Sequence, residues 1–440
     1  MDRIRNFLAL LRGQLWAVPA LFALAAVGLA YVLLNYGDLL SSGGRIWWVY
    51  SGDAGTARDL LGSLLSGLMT MTSLVVSVTF VILTLAANQL GPRLISIFMG
   101  DRQIQSVLGL FIGTILYVIL VLRTLDDTLG SQGVPHLAVT MASVLTILCL
   151  LALLFYIHKI ARSIIADNVV EAVSQEFRET LREILPDRDS DESAVKQPFR
   201  GRRWPLGIRR IGYVQVVDYG RLLSLACEAD IWIAVNVRAG HFLLLEGEHL
   251  DIYGEAAPDE ALQERIRSAF TVGTERTPAQ DPEQGIRQLV EIATRALSPG
   301  TNDPFTAIAV IDRLGAAFEE IFARHVQPHA MRDGSGEIRV VADRSDIAGL
   351  LAAAFHPIRQ AGKAHPAILI RMADVMADLA CGTRNAVHRE ALLGQLQRLA
   401  ETAALGQSAQ QDRQDILARI EHAKQALTRG RLQPPGKNGF

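Results

Sequence analysis

Residues Leu60–Ala86 read LLGSLLSGLMTMTSLVVSVTFVILTLA, a run with no charged residue and no histidine. A helix of about 20 apolar residues is enough to cross the hydrocarbon core of a bilayer. Helix is the expected form because a single span must satisfy its backbone amides internally. Ser63, Ser66, Thr70, Ser73, Ser77, Thr84 and Asn88 recur here at three-, four- and seven-residue steps. At about 100° per residue these positions fall in a sector narrower than about a quarter-turn. Phe80 and Val81 interrupt the stripe, and Thr72 and Thr79 lie off it. Such a stripe has two readings. Small hydroxylated residues let helices approach closely and bond across the interface. Alternatively, Ser63, Ser66, Thr70, Ser73, Ser77 and Thr84 line a pore built from several copies, with Phe80 as an apolar constriction.

Three further runs are long enough to span: Leu15–Leu34, Ile104–Leu122 and Leu137–Tyr156. The third span of the chain carries Gly109 and Gly113, a GxxxG pair of the kind that packs helices. Arginines and lysines set the orientation. Arg3, Arg5 and Arg12 precede the first span, Arg93 and Arg102 separate the second from the third, and Lys159 and Arg162 follow the fourth. The other two loops hold Arg45 and Arg58, and Arg123 beside Asp126 and Asp127, with Trp47 and Trp48 at the expected outer interface. The reading is a bacterial inner-membrane protein with both termini cytoplasmic. The basic start with Ala23, Ala25 and Ala26 also fits a cleaved signal peptide, but the run exceeds a usual signal core, so an uncleaved anchor is expected.

Composition agrees. Half of the 440 residues are hydrophobic, 20% are charged, and mean hydropathy is +0.24. Charges are sparse up to Tyr156 and frequent after Lys159, the pattern of a membrane part followed by a soluble part. A net charge of −2 with no basic, aromatic-studded stripe gives no case for nucleic acid. Cys149, Cys227 and Cys381 lack disulfide or zinc spacing.

The expected divisions are a four-helix transmembrane domain (1–162), a juxtamembrane helix and linker (163–200), a small β-rich unit (201–255), a helical cytoplasmic domain (256–430) and a flexible tail (431–440). In the juxtamembrane helix Val170, Val173, Phe177, Leu181 and Ile184 form an apolar edge, which fits a coiled-coil stalk or a helix lying on its own soluble domain. Pro186 ends it, Asp187–Lys196 is a polar linker, and the basic cluster at 200–210 suits anionic headgroups.

Gly212–Val217 and Ile231–Val237 read as strands around a helical Arg221–Cys227, and 240–247 as a strand closing a small barrel. The order resembles barrel-sandwich modules of the lipoyl or adaptor type, but no lysine stands at the tight turn to carry a prosthetic group. From about Asp259 the pattern is helical. Ile286, Leu289, Val290, Ala293 and Leu297 form one core face, Pro299 and Gly300 end that helix, and Asn302 or Asp303 caps the next before Pro304. Ile308, Ile311, Leu314, Phe318 and Ile321 continue a core. Arg295, Ser298, Asn302 and Asp303 are the candidate ligand or anion corner, through an Arg295–Asp303 pair and amides open to an anion. His325 and His329 are four apart, but Pro328 breaks the helix that would align them on a metal.

Ala87-Asn-Gln-Leu-Gly-Pro-Arg-Leu94, Leu108-Gly-Leu-Phe-Ile-Gly113, Gly212-Tyr-Val-Gln215 and above all Arg295-Ala-Leu-Ser-Pro-Gly-Thr-Asn-Asp-Pro304 resemble bacterial predicted membrane proteins catalogued as domain of unknown function 2254. The resemblance covers most of the chain. It implies a multi-span module with a cytoplasmic domain and assigns no activity. The fold expected is therefore an α-helical membrane protein with a cytoplasmic α+β domain. The function expected is that of a homo-oligomeric, channel-like transport protein gated by that domain; a membrane-anchored scaffold or sensor is the alternative. The ion or ligand is not readable. No metal motif, cofactor fingerprint or catalytic triad spacing is visible, so no enzyme is expected.

Overall fold

The computed structural model describes residues 16–41, 49–89, 101–125, 134–163, 166–185, 199–324, 329–343, 345–383, 385–406 and 409–429. Arg3, Arg5, Arg12, Arg45, Trp47, Trp48, Arg93, the Asp187–Lys196 linker, the His325/Pro328 break and the 431–440 tail lie outside them, as do the side chains of Asn88, Arg162 and His329. The chain divides into two compact units, Met1–Asn168 and Val169–Phe440.

The first unit holds α1 (Ala17–Ser41), α2 (Ala54–Gln89), α3 (Arg102–Leu122) and α4 (His136–Ser163). All four are long and apolar enough to cross a membrane. Their core is built from Ala26 and Ala30 on α1, Leu61, Leu68 and Val75 on α2, Phe111 and Val118 on α3, and Ala142 and Tyr156 on α4. Gly109 and Gly113 let α1 approach α3. A Cβ at Gly109 would lie 2.8 Å from Phe22 Cδ2, and one at Gly113 would lie 3.0 Å from the Phe22 carbonyl oxygen. Two buried tyrosines of this core have their hydroxyls bonded, as a low-dielectric interior favours. Tyr117 donates to the Ala138 carbonyl (3.0 Å), and the Tyr156 hydroxyl meets Thr79 and the Val75 carbonyl. Asp101 caps α3 through the Gln103 amide and pairs with Lys159 near the end of α4.

The second unit opens with α5 (Ala166–Ile184). Its apolar edge is buried at Val170, Val173, Phe177 and Leu181. Strands follow: β1 (Arg202–Leu206), β2 (Gly212–Val217), β3 (Trp232–Val235), β4 (Phe242–Leu243) and β5 (Leu250–Gly254), with α6 (Tyr219–Glu228) between β2 and β3. Next come α7 (Glu260–Arg267), β6 (Phe270–Gly273), α8 (Pro282–Ala296), α9 (Pro304–Ala323), β7 (His329–Arg332) and β8 (Ile338–Ala342). The helices α10 (Ile347–Ala361), α11 (Pro366–Gly382), α12 (Ala386–Leu405) and α13 (Gln410–Arg429) complete it.

Two expectations are corrected here. The β-rich part is not a barrel closed by residue 255. Among the described residues it forms a five-stranded sheet, β1-β5-β3-β8-β7, and a separate three-stranded sheet, β4-β2-β6. Nor is the chain purely helical after residue 256, since β6, β7 and β8 lie there and β8 pairs parallel with β3. Only Phe242 and Leu243 of the expected closing strand pair, with Tyr213 and Gly212. All four residues of β3 are buried, as a central strand covered on both faces requires.

The stalk reading is corrected too. The Phe177 ring lies on Gly285 of α8, where a Cβ would come within 2.2 Å of it. Arg178 and Arg182 reach Glu320 of α9 at 3.0 and 2.6 Å, and Arg313 reaches Glu171 at 2.6 Å. The apolar edge of α5 is thus occupied by its own unit and is not free for a coiled-coil partner.

Candidate functional site: an outward hydroxyl face

On α2 the buried positions are Ala54 and Ala57 in its first turns and then Leu61, Leu68 and Val75, seven apart along the apolar run. Ser63, Ser66, Thr70, Ser73, Ser77 and Thr84 are all exposed. At about 100° per residue, the mean direction of the hydroxyls is about 180° from the buried line. The stripe therefore faces away from the bundle of its own chain. Within one chain it does not serve as the α2 packing surface; that surface is aliphatic, with Thr79 at its edge bonded to Tyr156. Phe80 is 66% exposed and flanks the hydroxyls, as does Val81. Thr70 donates to the Ser66 carbonyl (3.0 Å) and Thr84 to the Phe80 carbonyl (2.8 Å), which satisfies their protons and leaves oxygen lone pairs directed outward. A face of this kind can pack against another copy or line water.

The corner after α8 is resolved in detail. Asp303 rather than Asn302 is the cap of α9. One carboxylate oxygen accepts the Phe305 and Thr306 amides at 3.1 and 3.2 Å, and the other accepts the Thr306 hydroxyl at 2.5 Å. The Thr306 hydroxyl, backed by these two amides, holds the Asp303 carboxyl below the usual carboxylate range. Asn302 takes the left-handed conformation (φ 47°) that asparagine tolerates better than most residues. The returning chain caps α8, with the Asp303 amide on the Ala296 carbonyl (2.8 Å) and the Asn302 amide on that of Ser298 (2.9 Å). Ser298 and Thr301 face each other at 3.4 Å, and Arg295 pairs with Glu291 on its own helix (3.6 Å). The amides that could have held an outside anion already hold the Asp303 carboxylate. Arg295, Ser298, Asn302 and Asp303 thus build a structural turn, and beside it Phe305 is left 80% exposed.

Two features escaped sequence reading. One is a charged knot joining the ends of β3 and β8 to the start of α8. Arg238 bonds Glu283 (2.9 Å) and Asp343 (3.0 Å), Ser345 also reaches Glu283 (3.2 Å), and Arg276 pairs with the α8 cap Asp281 (2.6 Å). Burial raises the Glu283 carboxyl, but Arg238, Ser345 and Arg276 outweigh it and hold Glu283 below its ordinary value. The second is a cavity of about 450 Å³ between α9 and α11. No local motif announces either, because the partners lie tens of residues apart. Among the described residues no group of three or more His, Cys, Asp or Glu side chains is arranged to hold a metal.

Comparison with known proteins places the chain. No solved structure matches it. It is similar to an uncharacterized protein of Mycobacterium bovis and to one of Mycobacterium tuberculosis, each 26% identical over 451 aligned positions that cover 99% of this chain and 85% of theirs. The model of the family described as "Predicted membrane protein (DUF2254)" matches residues 12–378. With that match running through the four spans, both sheets and the α8–α9 corner, the chain belongs to this family of membrane proteins.

Proposed function

We propose that the protein assembles as a homo-oligomer in the bacterial inner membrane and forms a channel-like path for a small hydrophilic solute, gated by its second unit. The observation that carries this reading is the outward hydroxyl face of α2. Several copies of that face, brought together, give a continuous polar lining of Ser63, Ser66, Thr70, Ser73, Ser77 and Thr84. Phe80 beside it supplies an apolar ring of the kind that gates by dewetting. Both termini are on the cytoplasmic side, as the basic residues around the spans argue. The run Leu60–Ala86 of α2 is free of Asp, Glu, Lys, Arg and His, which fits a passive path better than a proton-coupled pump, since such relays depend on intramembrane ionisable groups.

A membrane-anchored sensor without transport is the second reading. It is favoured by the ligand-sized cavity in the second unit and by α5 lying on that unit instead of forming a stalk. Purified protein in liposomes separates the two. The channel reading expects ion flux that rises in Phe80→Ala and falls when Ser73→Leu closes the lining. Flux equal to that of empty liposomes for both wild type and Phe80→Ala would leave the sensor reading.

A further inference from the structure

The cavity between α9 and α11 follows from sequence spacing. Asp312, Ala316, Glu319 and Phe322 recur at helical steps on one face of α9, and Arg371, Val375, Asp378 and Leu379 do so on the facing side of α11. Gly315 lets the two helices approach, since a Cβ there would lie 2.7 Å from Val375 Cγ1. One end is walled by Phe322, which stacks on buried His388 with ring centroids 4.5 Å apart, and His388 is held by the Thr383 hydroxyl at 3.1 Å. The volume, about 450 Å³, lies in the range that receives small organic molecules.

The lining has an apolar floor of Ala316, Phe322, Val375 and Leu379 and an unbalanced charge. It holds three carboxylates, Asp312, Glu319 and Asp378, against one guanidinium, Arg371, a net of −2 when all are ionised. Arg371 is engaged by Asp312. Burial, with the carboxylates of Asp374, Asp312 and Glu319 nearby, lifts the Asp378 carboxyl above its usual range against the pull of Arg371. A cation entering the cavity relieves that repulsion while its apolar body covers the floor.

We propose that this cavity is a binding site for a small organic cation with an apolar body, held by Glu319 and Asp378 at the rim and by Phe322, Val375 and Leu379 below. The site does not depend on whether the protein transports anything. The test uses full-length protein in nonionic detergent with ethidium as an apolar cation and anilinonaphthalene sulfonate as an apolar anion, empty micelles being subtracted. The expected result is saturable ethidium binding at one site per chain. Glu319→Gln and Asp378→Asn should each weaken it by about fivefold, the order expected from removing one charge at a partly hydrated contact. Ala316→Phe, which fills the cavity, should abolish it with the thermal midpoint unchanged. The anion should bind more weakly than ethidium to wild type. Absence of saturable ethidium binding, or equal affinity in wild type and both carboxylate variants, overturns the assignment.

Discussion

Removing the Phe177 ring tests how α5 is used. Phe177 is 3% exposed and packs against Gly285, so Phe177→Ala removes a large buried ring and leaves a cavity against α8. Such truncations cost about 3–5 kcal/mol. Gly285→Ala perturbs the same contact from the other side. Its Cβ would fall 2.2 Å from Cδ2 and 2.9 Å from the Phe177 Cβ, so ring rotation alone cannot relieve the clash, and overpacking of about 1–3 kcal/mol is expected. Gln175→Ala, on the exposed side of α5, serves as control and should change stability by less than about 0.5 kcal/mol. Urea unfolding of the full chain in detergent, with Trp16, Trp47 and Trp48 replaced by Phe so that only the tryptophans at 204 and 232 report, reads the second unit. Cross-linking read in parallel reports assembly. Unchanged unfolding with loss of cross-linked oligomer would refute the docking and restore α5 as an intermolecular stalk.

Two further outcomes follow from the same unit. Asp303→Ala should destabilise by about 0.5–2 kcal/mol through loss of the α9 cap, measured as a shift in urea midpoint, with Asp303→Asn retaining most of the stability. The Glu320 carboxyl is partly buried, and the desolvation raises it, but Arg182 and Arg178 outweigh this and hold it below its ordinary value. Its contribution is therefore present above the unfolded carboxylate pKa and lost as pH falls through the folded one. Wild type should lose more stability than Glu320→Gln as pH is taken from neutral to below that range, and parallel pH profiles would contradict the pairing.

The spans were legible because lipid imposes one rule, an uncharged run of sufficient length, and Leu60–Ala86 meets it without tertiary help. Even so, α2 begins at Ala54 and α4 continues to Ser163, since helices extend past the apolar run. The α8–α9 corner was readable because capping is local: Pro299, Gly300, Asp303 and Pro304 stand within six residues. The sheet was not readable, because β3 finds its parallel partner β8 more than a hundred residues later, and nothing in Ile338–Ala342 names that partner. The cavity was invisible for the same reason: Glu319 and Asp378 become neighbours only when α9 packs on α11. The hydroxyl stripe was legible as a face, but its outward direction depended on which side of α2 the helices α3 and α4 pack.

That outward direction is open to a direct chemical test. Single cysteines at Ser66, Thr70, Ser73 and Ser77, with Val75 as the buried control, should be probed in intact membranes with a water-soluble thiol reagent on a background lacking Cys149, Cys227 and Cys381. A thiol reacts as thiolate, which forms where water reaches it. A water-lined stripe gives labelling at the four stripe positions, none at Val75, and block of flux once the stripe is modified. Silence at all four positions in assembled oligomers would contradict it.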